Sequence, residues 1–169
     1  MNNANWSSRR RTESIDAGGH NEILSDIPGD LQSGPIRLEF AETVGGDVQR
    51  EFVPYYHFKI VHAAATIVGH INLRIGDTRH VKMCAGHVGF EVLPKFRGHS
   101  YSYHACRALA PLVRIHYENV ILTADPDNVP SRRVIEKLGA HFIDEVDVPA
   151  DDPAYLGGAR RKCRYEWSP

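Results

Sequence analysis

GFEVLPKFRGHSYS, at positions 89–102, is the stretch of sequence that decides the fold of this chain. Apolar and polar residues alternate up to Val92, as in a strand, Pro94 ends the alternation, and helical spacing begins at Tyr101. The first backbone amides of a helix have no partner within the helix and lie at the positive end of its dipole. The turn therefore suits a phosphate or pyrophosphate group, although an ordinary strand-to-helix turn capped by Ser100 has the same pattern.

Upstream of this turn, the sequence predicts four strands joined by short connections. Each segment alternates apolar with polar residues, and turn-forming residues interrupt the pattern between segments. Strands with such short connections pair as an antiparallel meander. The four predicted strands are 36–40, 55–62, 67–75 and 83–92.

Downstream of the turn, helical and strand patterns alternate. A helix is predicted at 101–116, with a kink or local break at Pro111, because an interior proline costs roughly 3 kcal/mol. The remaining predicted elements are a strand at 120–122, a helix ending at Gly139, and strands at 142–148 and 162–167. The order predicts an α+β fold: a mixed, mostly antiparallel sheet of about seven strands, with a central strand-helix-strand crossover flanked by helices.

Composition bounds the class of protein. The 169 residues suit one domain, and residues 1–34 are so polar that we expect a flexible N-terminal tail before a single domain at 35–169. A net charge of −1 argues against a general nucleic-acid-binding protein, which needs a basic surplus. No apolar run suits a membrane span or a signal peptide, so we expect a cytoplasmic protein with no membrane partner.

Cysteine and histidine usage predicts neither disulfides nor a metal site. The three cysteines, Cys84, Cys106 and Cys163, are far apart and form no C-x-x-C motif. Three buried thiols in a reducing compartment explain them. The ten histidines suggest no tight cluster of metal ligands, and we expect no metal.

A second stretch, DPDNVPSRRVIEKLGA at 125–140, follows a strand and enters a helix. Together the two stretches resemble the GNAT acetyltransferase superfamily, whose signature is Arg/Gln-x-x-Gly-x-Gly/Ala, then Asn-x-x-Ala/Ser and Lys-x-Gly. The resemblance covers roughly Val53 to Trp167 and is weak before that. The matching positions are Arg97, Asn128, Ser131, Lys137 and Gly139.

The resemblance implies an acetyl-CoA site. In a GNAT protein the backbone of Phe90, Glu91 and Val92 would pair with the pantetheine arm in a V-shaped gap beside that strand. Asn128 would hydrogen-bond the pantetheine or its neighbouring backbone, and Ser131 would lie near the thiol. The amides that would hold the pyrophosphate are those of Arg97, Gly98, His99, Ser100, Tyr101 and Ser102.

The sequence departs from the family pattern in several places. Ser100 and Ser102 replace the signature glycines; serine is small but restricts φ. Ile135 stands where many members place a tyrosine that protonates the thiolate, whereas a branch that acetylates protein N-termini uses a serine at the position of Ser131. The family's two helices between the first strands have little room, because only residues 42–54 separate them.

The resemblance implies direct transfer of an acetyl group from acetyl-CoA to a primary amine, on a small molecule or a protein N-terminus. Glu91 is the candidate general base, with His87 and His70 as alternatives, and Ser131 is the candidate donor to the sulfur. Glu91 reads equally well as a solvated or salt-bridged side chain. A non-catalytic acyl-CoA-binding or sensing domain is the alternative function, and a homodimer stays open.

Overall fold

A computed structural model describes residues 23–24, 27–63 and 65–169. Most of the expected tail, residues 1–34, lies outside the described residues. Its described end packs on the domain: Leu31 is buried, and Gln32–Ser33 form a first short strand, β1.

The first sheet is the antiparallel meander that the sequence predicts. Apolar residues occupy alternate positions of its central strands, so that one face of the sheet is buried, as in a sheet covered on one side. The strand order is β1-β2-β3-β4-β5, and every pair is antiparallel. The strands are β2 (Ile36–Val44), β3 (Tyr55–His62), β4 (Thr66–Arg74) and β5 (Val88–Val92).

Helix α1 (Tyr101–His116) packs against the buried face of this sheet. It runs without a break through Pro111, so the expected local break is absent. Pro111 is exposed, whereas Leu109 and Leu112 beside it are fully buried. Each fully buried leucine contributes about 1.5–3 kcal/mol, which offsets the roughly 3 kcal/mol cost of the proline.

The second half forms a separate three-stranded sheet in the order β6-β8-β7, also antiparallel. The described residues thus form eight strands rather than about seven, the additional one being β1. None of the described helices is long and apolar enough to cross a membrane. The elements are β6 (Val120–Ala124), α2 (Val129–Lys137), β7 (His141–Asp147), α3 (Pro153–Leu156) and β8 (Arg161–Trp167).

The fourth predicted strand is shorter than expected, because Val81–Ala85 forms a π-helical segment instead. Gly86 follows with φ 67, a left-handed conformation that ends the segment and that glycine adopts readily. The Arg74 guanidinium donates hydrogen bonds to the carbonyl oxygens of Ala85 (3.2 Å) and Gly86 (3.1 Å). These bonds fix the segment against the end of β4.

Candidate active site

A cleft lies between β5 and β6, the strands that end the two sheets. It has a volume of about 160 Å³. The walls come from β5, β6, the start of α2 and the start of β8, so the cleft joins both halves of the domain. The residues that line it are Ala85, Val88, Gly89, Phe90, Thr123, Ala124, Asp125, Asn128, Ser131 and Lys162.

The two sheets meet at one end of this cleft. The His87 backbone N–H donates to the Ile121 carbonyl oxygen (2.7 Å), and the Ile121 N–H donates to Nδ1 of the His87 ring (3.0 Å). From this joint both strands continue toward their carboxyl ends and line the cleft. In the described part of the chain, each of them hydrogen-bonds a neighbouring strand on one side alone. Their facing edges therefore offer backbone donors and acceptors to an extended ligand with amide groups.

His87 is a structural residue of the joint. Its side chain is buried, and burial lowers the pKa of the imidazole despite the nearby Asp77 carboxylate. Because Nδ1 accepts a hydrogen bond, the neutral ring carries its proton on Nε2, which lies 3.2 Å from Asp77 Oδ1. Nδ1 thus joins the two sheets and Nε2 is held by Asp77, so His87 is poorly placed to serve as the alternative base.

The turn after β5 contains two residues in the left-handed conformation directly before a helix. Gly98 (φ 89) and Ser100 (φ 59) are left-handed, and α1 begins at Tyr101. Ser100 occupies the N-cap position, but its side chain makes no capping hydrogen bond. The Arg97 side chain folds back and donates to the Val92 carbonyl oxygen (3.0 Å). The ordinary capped turn is therefore not what forms here.

Asn128 and Ser131, the residues of the second stretch that match the family signature, both line the cleft. Asn128 is the N-cap of α2, and its side-chain oxygen accepts a hydrogen bond from the Ser131 backbone N–H (3.2 Å). The capping role is thus filled by Asn128, which leaves the half-buried Ser131 hydroxyl beside the cleft. Ile135, one turn further on, is buried in the core.

Glu91 lies outside the set of residues that line the cleft. It stands opposite His70 on β4, with 3.8 Å between its Oε2 and His70 Nε2, and 55% of its side chain is exposed. His70 and His57 have ring centroids 5.5 Å apart, and His57 Nδ1 lies 2.6 Å from Asn72 Oδ1. Glu91 therefore belongs to a polar patch on the open face of the first sheet.

Sequence reasoning missed three polar residues of the cleft. Lys162 Nζ lies 2.6 Å from Asp125 Oδ1, and 15% of the lysine side chain is exposed. The Thr123 hydroxyl donates to the Cys84 carbonyl oxygen (2.8 Å). No local sequence pattern predicts that Asp125 and Lys162 are neighbours, because the two positions come together only through the pairing of β6 with β8.

Tyr101 and Tyr155 carry phenols chemically able to replace the acid absent at Ile135, but both lie outside the cleft. The Tyr101 ring stacks on His99, with centroids 5.3 Å apart. The Arg160 guanidinium lies over the Tyr155 ring, with its Cζ atom 4.0 Å from the ring centroid. Neither tyrosine lines the cleft.

The family model described as the acetyltransferase (GNAT) domain matches residues 36–141, which is more than half of the chain. The matched region begins at residue 36, whereas the resemblance based on sequence motifs begins near Val53. No curated protein matches the sequence at a significant level. Among solved structures, 46 chains match significantly.

Three of these structures illustrate the likeness. A GNAT-family acetyltransferase from Bacillus anthracis is 21% identical, with a TM-score of 0.50 over 65% of this chain and 64% of that one. Mycobacterium smegmatis RimJ, solved with CoA-disulfide, is 17% identical, with a TM-score of 0.50 over 66% and 52%. RimL, a ribosomal L7/L12 alpha-N-protein acetyltransferase solved with coenzyme A, is 12% identical, with a TM-score of 0.50 over 66% and 60%. At these identities the likeness establishes the fold, and the matches span less than two thirds of each structure's length.

Proposed function

This chain belongs to the GNAT acetyltransferase domain family, and from that premise we propose that it transfers an acetyl group from acetyl-CoA directly to a primary amine. The acceptor is an amine of a small molecule or of a protein N-terminus. The observation that carries the proposal is the cleft between the facing edges of β5 and β6, which opens from the His87–Ile121 joint. An amide-bearing arm such as pantetheine matches such edges.

The cofactor would extend from the cleft to the start of α1. Its pantetheine arm pairs with the backbone of Phe90–Val92, and its pyrophosphate binds the amides of residues 97–102 at the positive end of the helix dipole. The left-handed Gly98 and Ser100 support this placement, because they shape an exposed turn directly before the helix.

The chemistry requires three contributions from the protein. The ammonium of the acceptor must lose a proton, the tetrahedral oxyanion must be stabilised, and the thiolate must leave. Glu91 with His70 lies on the open face of the sheet, where an acceptor amine would approach, and we assign deprotonation to this pair, directly or through water. The assignment rests on the proximity of the two groups on neighbouring strands.

The leaving thiolate would be stabilised from the cleft. Ser131 offers a hydroxyl and Lys162 an ammonium, and both groups lie along the cleft wall. A hydrogen bond from a charged donor is roughly twice as strong as one between neutral groups. We therefore assign Lys162 and Ser131 together to the role that a tyrosine fills in many family members.

A second function has two observations in its favour. Ile135 is buried at the usual tyrosine position, and Glu91 stands outside the cleft. A domain that binds acyl-CoA without transferring the acyl group would need neither a tyrosine acid at position 135 nor a base in the cleft.

One experiment separates the two functions. Purified protein is incubated with acetyl-CoA and a panel of amines that includes small polyamines and peptides with free N-termini, and free thiol is measured. Amine-dependent thiol release supports transfer. A melting temperature raised by acetyl-CoA, without thiol release for any amine, supports the binding domain, and no shift at a millimolar concentration would refute both.

A further inference from the structure

Three side chains from distant parts of the sequence meet behind the cleft. His80 and Cys84 come from the connection between β4 and β5, and Asp152 comes from the loop between β7 and β8. His80 Nδ1 lies 3.0 Å from both carboxylate oxygens of Asp152. The donor atoms of all three residues lie within 4.8 Å of one another. The exposed fractions are 12% for the His80 side chain, 0% for that of Asp152 and 2% for Cys84.

Local structure fixes each of the three residues. His80 immediately precedes the π-helical segment, and Cys84, four positions later, lies within it. Asp152 is the N-cap of α3, and its Oδ1 accepts a hydrogen bond from the Ala154 N–H (2.8 Å). At the rim, an ion pair of 2.7 Å between Arg79 and Asp151 joins the same two segments. The backbone thus presents the three donors in fixed positions.

We propose that His80 Nδ1, Cys84 Sγ and a carboxylate oxygen of Asp152 bind a Zn²⁺ ion. Imidazole nitrogen, thiolate sulfur and carboxylate oxygen are the three donor types that zinc takes in proteins. Calcium and magnesium require oxygen ligands, so this set selects against them. The ion takes the place of the Cys84 thiol proton, which is released to solvent.

The spacing suits a tetrahedral ion. Zinc bonds of about 2.0–2.3 Å place neighbouring ligand atoms about 3.3–3.5 Å apart. The observed donors already lie within 4.8 Å of one another, so small rotations of the side chains suffice. The partly exposed edge of His80 leaves a route for water, which fills the fourth position.

Two arrangements without a metal are the alternatives. In the first, His80 and the Cys84 thiol both hydrogen-bond the Asp152 carboxylate, and the metal titration below distinguishes this trio from a zinc site. A nucleophilic cysteine served by histidine and aspartate requires substrate to reach a sulfur, but the residue is 2% exposed.

None of the three residues lines the cleft, and the role of the ion would be to join two segments rather than to take part in acetyl transfer. It ties the loop before α3 to the segment that leads into β5. That segment reaches the cleft, because Ala85 lines it and the Cys84 carbonyl oxygen accepts a hydrogen bond from Thr123, another lining residue. Zinc would therefore stabilise one end of the cleft whether or not the chain is an acetyltransferase.

The test uses the full chain with any purification tag removed. After treatment with a chelator, Co²⁺ is titrated as a spectroscopic substitute, and Zn²⁺ affinity is measured by competition with a coloured chelator. We expect one equivalent of Co²⁺ with a thiolate-to-cobalt charge-transfer band, displaced by Zn²⁺, and a higher melting temperature with Zn²⁺. The absence of a thiolate band at one equivalent would overturn the proposal.

Matched variants identify the ligands. Cys84→Ser and His80→Gln should each weaken Zn²⁺ binding by at least about 100-fold, since loss of even an outer partner of a ligand costs about 10–100-fold. Asp152→Asn should also weaken binding, while asparagine keeps the cap of α3, so a folding defect is not expected there. Cys163→Ser removes a different buried thiol, and His57→Gln removes one of two adjacent exposed-face imidazoles; both should bind normally. Normal binding by Asp152→Asn together with His80→Gln, or loss of the band in Cys163→Ser, would refute the assignment.

Discussion

Ser100→Gly should stabilise the fold, although glycine is the most flexible residue. Ser100 has φ 59 and ψ 21, and the left-handed conformation costs a residue with a β-carbon about 1–2 kcal/mol. Its hydroxyl makes no capping hydrogen bond, so the substitution removes no bond. Glycine loses more backbone entropy on folding, which costs roughly 0.5–1 kcal/mol. The balance is a gain of up to about 1.5 kcal/mol, or a melting temperature higher by up to roughly 6 °C.

Ser102→Gly is the matched control, because the same change falls two residues later, inside the first turn of α1. With ordinary helical geometry at that position there is no strain to relieve, and the variant should lose about 0.5–1 kcal/mol. Urea denaturation of the two variants and the parent protein gives both free energies of unfolding. Coenzyme A binding should survive in Ser100→Gly, since the new residue keeps the backbone amide and the left-handed conformation.

Opposite signs for the two variants are the critical result. Equal destabilisation would mean that Ser100 is not strained and that its left-handed conformation carries no cost. Loss of coenzyme A binding in Ser100→Gly alone would mean that the serine hydroxyl, rather than the backbone, binds the cofactor.

Four further predictions concern the site. Glu91→Gln should lower turnover by roughly 10²–10⁴-fold with coenzyme A affinity unchanged, and normal turnover would remove this residue from the mechanism. Ser131→Ala should lower the rate at saturating acetyl-CoA with little change in melting temperature, because Asn128 rather than Ser131 caps α2; the reverse pattern would show a purely structural role. Lys162→Met should lower the rate more than Lys162→Arg, which keeps the positive charge; equal rates in all three proteins would exclude the ammonium. The free energy of unfolding should fall as pH drops below about 6.5, because burial lowers the pKa of His87, so that the imidazole is protonated in the unfolded chain before it is protonated in the folded chain. His87→Gln should flatten that pH dependence, and an unchanged slope would contradict the prediction.

The order of elements was predictable because the hydrophobic period changes from two to 3.6 at Pro94 and back again near Val120. The finer geometry was not. A β-bulge between Ile60 and Val61 places Val68 in the core and leaves Ile67 half exposed, although simple alternation assigns Ile67 to the core face. One extra residue in a strand reverses the faces beyond it, and periodicity alone does not locate such a bulge.

Two polar clusters could not be predicted from the sequence, for a related reason. The pairing of Lys162 with Asp125 depends on the register between β6 and β8, and no motif encodes it. His80 and Cys84 have a spacing of four residues, which is a usable signal, but Asp152 joins them through the loop before α3. Sequence spacing indicates a metal site clearly when the ligands come from one or two compact motifs, whereas the three residues of the proposed zinc site come from distant segments. The roles of Glu91, Ser131 and the turn at 97–102 remain predictions.

The position of Ile135 bears on how transfer would proceed without the usual tyrosine. Ile135 follows Ser131 by one turn of α2, yet its side chain is buried in the core whereas Ser131 lines the cleft. A phenol at 135 would have to enter a packed core, where extra volume typically costs about 1–3 kcal/mol. The helix therefore turns position 135 away from the cleft, and under the proposed function an acid would come from another element. Lys162, on β8, is a charged donor on the cleft wall, and its ammonium lies 2.6 Å from Asp125 Oδ1, so we expect it to pair with the leaving sulfur if transfer occurs.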